Sequence, residues 1–69
     1  MTLEEARKEM IYFENGTSGS FMTKLIEAMQ RADGDNLFKL FLVYPEITYA
    51  FAEKYRPEML GNFKKEINE

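Results

Sequence analysis

The chain contains no cysteine and no histidine, and each absence removes a class of chemistry. Without cysteine there is no disulfide to reinforce a chain of 69 residues, no thiolate nucleophile and no soft ligand of the kind structural zinc sites use. Without histidine the commonest general base and pH switch is missing. No stretch approaches the roughly 20 apolar residues of a membrane span. The start, Met1-Thr2-Leu3-Glu4-Glu5, has neither the basic residues nor the apolar run of a signal peptide, so a cytoplasmic protein is the expectation. No repeat, low-complexity segment or linker interrupts the sequence, and residues 1–69 are expected to form a single helical domain.

What is present favours a packed core. Apolar residues make up 45% of the chain and aromatic residues 14%, which argues against disorder. A single core of this size supplies only about 3–5 kcal/mol, so stability must come from packing within the chain or against a partner subunit. Nine basic residues are scattered among twelve acidic ones, giving a formal charge of -3 and a pI of about 5.0. A salt-sensitive phosphate footprint is not expected from that balance.

Punctuation residues divide the chain into helices. Thr2-Leu3-Glu4-Glu5 has the spacing of a capping box, so a first helix should start there, bury Leu3, Ala6, Met10 and Ile11, and stop near Glu14 before Asn15-Gly16. Asn-Gly also joins hairpins, but the flanks lack strand alternation. Ser20 is the expected N-cap of a second helix reaching Ala32, with Phe21, Met22, Leu25, Ile26, Met29 and Ala32 inward. Asp33 or Asp35 should cap a third helix from Asn36 to about Tyr44. Only Lys39 interrupts the apolar run Leu37 to Tyr44, which places this helix centrally in the expected fold. A buried strand fits the same run, but no second strand is available to pair with it.

Pro45 suits the first position of a fourth helix, with Ile47, Ala50, Phe51 and Tyr55 inward. Pro57-Glu58 repeats the device for a last helix carrying Met59, Leu60, Phe63 and Ile67, weakened by Gly61 and fraying at its end. The expected fold class is therefore all-α, a compact bundle of four or five short helices.

The groups left for catalysis are weakly arranged. Glu4, Glu5, Glu9 and Glu14 supply carboxylates, and Ser18 or Ser20 with Lys24 imitates a serine-lysine pair, yet first-turn acids usually complement the helix dipole and Ser20 is read as a cap. Asp33, Asp35 and Asn36 suggest calcium, but the sixth and twelfth loop positions, which an EF-hand reserves for Gly and Glu, are Phe38 and Tyr44. Asn15-Gly16-Thr17 matches a glycosylation sequon, relevant only to a secreted protein. The loop Gly16 to Ser20 opens into a helix N-terminus with Lys24 one turn on, an arrangement that can touch an anion but lacks the Gly-Lys pair of a P-loop. The second and third helices resemble a helix-turn-helix in order alone, since Leu37-Phe38-Lys39-Leu40-Phe41-Leu42-Val43 offers few groups to a DNA groove. No catalytic residue, cofactor site or metal site is assigned.

From Asn15 to about Tyr49, Glu14-Asn15-Gly16, Gly19-Ser20-Phe21, Glu27-Ala28, Arg31-Ala32-Asp33 and Asn36 occur in an order that resembles small helical proteins encoded by bacteriophages and prophages. Tyr44-Pro45-Glu46 stands where some of those proteins have Phe-Pro-Glu, and the segment after Tyr49 departs from them. The resemblance implies a phage-accessory helical protein and brings no catalytic or binding residue with it.

The expected function is that of a small non-catalytic protein-protein interaction module; the alternative is a small nucleic-acid-associated regulator. Surplus apolar surface on the third helix places the contact for a partner, or for a second copy in a C2 homodimer, at Phe41, Tyr44 and Tyr49. No cofactor, metal, membrane or nucleic acid is expected to take part.

Overall fold

Thr2 and Glu5 form the capping box that the sequence spells out. The Thr2 hydroxyl accepts from the Glu5 amide at 3.0 Å, and the Glu5 carboxylate accepts from the Thr2 amide at 2.7 Å. In the computed structural model, which describes residues 1–64, they open α1 (Leu3–Glu14). It ends in a Schellman motif: the Gly16 amide donates to the Phe13 carbonyl and the Thr17 amide to the Tyr12 carbonyl. Gly16 supplies the left-handed residue this closure needs, with φ of 74°. Asn15-Gly16 is thus a helix stop and not a hairpin.

The second helix, α2 (Ser20–Arg31), starts differently from expectation. Gly19 is its N-cap, and its carbonyl accepts from the Thr23 amide at 2.9 Å. Ser20 is already inside the helix and makes no capping bond. Extended backbone at Gly19 moves the cap one residue earlier than the side-chain preference suggests. A hydroxyl pair, Ser18 with Thr23, closes the first turn instead, occupying the positions where apolar residues often form a staple.

Asp33 caps α3 (Gly34–Val43), its carboxylate accepting from the Asn36 amide at 2.8 Å. Pro45 is the first residue of α4 (Pro45–Tyr55), and Pro57 opens a 3-10 turn (Pro57–Met59) that runs into α5 (Leu60–Lys64). The architecture is an all-α bundle, as the sequence predicts. The expected inward position of Ile67 and the fraying tail lie outside the described residues.

The centre of the bundle is α4, not α3. Six consecutive residues, Ile47 to Ala52, are buried, and α4 touches α1, α2, α3, the 3-10 turn and α5. Thr48, Ala50 and Ala52 are small, so neighbours approach α4 from several sides. The bulkier α3 buries fully only Leu37 and Phe41, leaving Leu42 and Val43 to solvent. Apolar content alone therefore misplaces the centre; side-chain size decides how many neighbours a helix accepts.

One core joins all five helices. Ala6, Met10, Ile26, Met29, Leu37, Phe41, Ile47, Phe51 and Phe63 are among its members. Expected core positions Ile11, Phe21 and Tyr55 are exposed, while Thr48, Tyr49 and Ala52 are buried in addition to those predicted on α4.

Candidate interaction surface

The three residues expected to form a contact surface do not share one. Phe41 is 1% exposed and Tyr49 3%, and both belong to the core. The ring of Phe41 is covered by Phe63 from the C-terminal segment, and Tyr49 falls on the part of α4 that is enclosed on all sides. The surplus apolar area expected at Phe41 and Tyr49 is thus absorbed within the chain, and neither ring is presented to a partner.

Tyr44 is different. It is 37% exposed at the corner between α3 and α4, and its ring meets that of Phe21 edge-on, with centroids 6.0 Å apart and planes at 60°. Phe21 is 61% exposed and Val43 68%. With Met1, Met22, Leu25, Pro45 and Ile47, and with Glu46 as the one charged residue, these three surround a concavity of about 300 Å³. Val43 also forms one end of a second concavity, about 550 Å³, lined by Ala28 and Arg31 of α2, by Ala32 at its C-cap and by Asn36, Lys39 and Leu40 of α3. Because Val43 borders both, the apolar surface is continuous from the N-terminus to the turn between α2 and α3.

The local sequence explains this surface. At roughly 100° per residue, Phe21, Ala28 and Ala32 fall on one stripe of α2, about a quarter-turn from the core stripe of Met22, Leu25, Ile26 and Met29. Reading the two stripes as one is what places Phe21 in the core. On α3, Asn36, Lys39, Leu40 and Val43 likewise share a side at spacings of three and four. The helices α2 and α3 scarcely touch one another, so the space between these two stripes stays open.

Charge is distributed unevenly around the bundle. Arg7 grips Glu53 through two hydrogen bonds of 2.9 and 2.6 Å, and Glu14 accepts from Lys54 at 2.6 Å and from the Tyr55 hydroxyl at 2.8 Å, so the middle and the C-terminal end of α1 are both tied to the last turn of α4. These bonds hold the Glu14 and Glu53 carboxyls below their ordinary range and raise Lys54 and Tyr55 above theirs. Arg56 pairs with Glu58 at 2.6 Å, which lowers that carboxyl too, and donates to the Ala32 carbonyl at the end of α2. The shifted carboxyls are thus ion-paired or capping groups held ionised, an arrangement that fastens helices together.

Among the described residues no cluster of three or more acidic side chains is placed to hold a metal ion. Among the same residues no helix is long and apolar enough to cross a membrane. No family model, curated protein or solved structure matches this chain.

Proposed function

We propose that this chain is a non-catalytic protein-protein interaction module, a phage- or prophage-type accessory protein of the cytoplasm, that docks its partner on the surface running from Phe21 and Tyr44 along the α2–α3 groove. The observation that carries this reading is the joining of two apolar concavities through Val43, beside the exposed rings of Phe21 and Tyr44. Contiguous apolar surface of this kind, rimmed by polar residues, marks interaction sites on small soluble proteins. Aromatic and methionine side chains such as Phe21, Tyr44, Met1 and Met22 provide adaptable contact area there. The phage setting is supported by the residue order from Glu14 to Glu46 alone.

Capture from a bacterial lysate tests the reading, with tagged wild-type protein beside Val43→Asp and Phe21→Ser. One protein retained by wild type and lost from both variants supports docking through this surface. Equal retention by all three, or retention on heparin that weakens with salt as for a nucleic-acid regulator, contradicts it. Sedimentation of the wild-type protein over a range of concentrations separates a second copy from a different partner.

A further inference from the structure

We infer that the α2–α3 groove receives an acidic amphipathic helix of a protein partner, its apolar stripe laid on Ala28, Ala32, Leu40 and Val43 and its carboxylates read by Arg31 and Lys39. The inference rests on the docking function proposed above and adds the chemistry of the occupant.

Charge is the first ground. The chain carries a formal charge of -3, yet both charged residues lining the groove are cationic. Arg7, Lys24, Lys54 and Arg56 each pair with a carboxylate of their own chain, whereas Arg31 and Lys39, like Lys8 and Lys64 elsewhere on the surface, form no ion pair among the described residues. The carboxylates on the same two helices are Glu27 and Asp35; Glu27 faces Lys24 at 3.6 Å, and neither lines the groove. Glu27 and Asp35 each stand one turn before these cations without bridging to them, and two cations on opposite walls of an apolar trough complement an anionic, apolar ligand.

Shape is the second ground. The α3 wall, Asn36 to Val43, is a helical stripe at spacings of three, four and seven about two turns or roughly 10 Å long, and the α2 wall, Ala28 to Ala32, adds little more than one turn, roughly 6 Å. Such a trough fits a helix presenting apolar residues at i, i+3, i+4 and i+7. The acidic helix of a second copy is an unsuitable occupant. Within its own bundle α1 buries Ala6 and Met10 in the core and commits Glu5 to the capping box and Glu14 to Lys54 and Tyr55.

The test is selection from a displayed library of amphipathic helices of about 16 residues, with flanking positions randomised among Glu, Gln and Lys, against the wild-type protein and counter-selected on Val43→Asp. Glu should accumulate at the flanks. Affinity of the selected peptides should fall at least about tenfold in Arg31→Glu/Lys39→Glu and return when the peptide's Glu residues are exchanged for Lys. Arg31→Gln/Lys39→Gln provides the same comparison with less disturbance of the α2 terminus, and circular dichroism verifies both folds. Peptides without acidic flanks, or indifferent to both double variants yet lost in Val43→Asp, overturn the acidic occupant and leave the docking surface standing. Failure to enrich any peptide over Val43→Asp overturns both.

Discussion

The ring of Phe63 lies flat against that of Phe41, with centroids 4.2 Å apart and planes 3° from parallel, and both rings also border Phe38. A five-residue helix near the end of the described chain thereby completes the core on α3. Removal of a buried phenyl ring costs about 3–5 kcal/mol, as much as the whole core of a domain this small supplies. Phe63→Ala should therefore abolish cooperative thermal unfolding followed by circular dichroism. A sharp transition within a few degrees of wild type would show that the stack contributes little.

Thr48 points the other way. It is fully buried, and its hydroxyl finds no hydrogen-bond partner among the described residues. An unsatisfied buried hydroxyl costs about 1–3 kcal/mol, part of which an isosteric apolar group recovers. Thr48→Val should raise the melting midpoint by about 4–8 °C if about 1 kcal/mol is recovered. A lower midpoint would mean that the hydroxyl is satisfied in solution.

Three helix-end substitutions separate the caps that form from the one that does not. Thr2→Ala should cost about 0.5–2 kcal/mol through loss of the capping box. Gly16→Ala should cost about 1–2 kcal/mol, because an alanine Cβ is strained at a positive φ. Ser20→Ala should stay within about 0.5 kcal/mol of wild type, since Gly19 is the N-cap. Urea denaturation ranks them, and a loss at Ser20 as large as that at Thr2 would restore Ser20 as the cap.

The ion pairs between α1 and α4 make stability fall at both ends of the pH scale. Glu14 and Glu53 lie below the ordinary value of 4.5 in the fold, so the unfolded chain binds more protons there. Their contribution is complete above that value and is lost as pH falls through it and below. Tyr55 and Lys54 lie above 10.0 and 10.5, so their contribution is complete below those values and is lost as pH rises through the raised ones. Melting midpoints should decline on both sides, and Glu14→Gln should flatten both limbs. Limbs unchanged in that variant would show that the Glu14 cluster does not form in solution.

The helix boundaries were legible because they are local: Thr2 with Glu5, Asn15-Gly16, Asp33 and Pro45 each act on the backbone within a few residues. The layout was less so. Which helix lies at the centre depends on the sizes of Thr48, Ala50 and Ala52, and apolar content outranks them in any reading of α3. The surface was the least legible part. Tyr44 was visible as a candidate, but Phe41 and Tyr49 are covered by partners distant in sequence, and Phe21 and Val43 are freed because α2 and α3 stand apart.

Methyl-resolved magnetic resonance during titration with the protein captured from lysate tests the docking surface most directly. Methyl signals of Val43, Leu40, Ala28 and Met22 should shift or broaden, while those of Ile11 and Met10 beside the α1–α4 seam keep their positions. Shifts confined to Ile11, Met10 and Ala50, with Val43 and Ala28 unmoved, would place the interaction on the opposite seam and contradict the account.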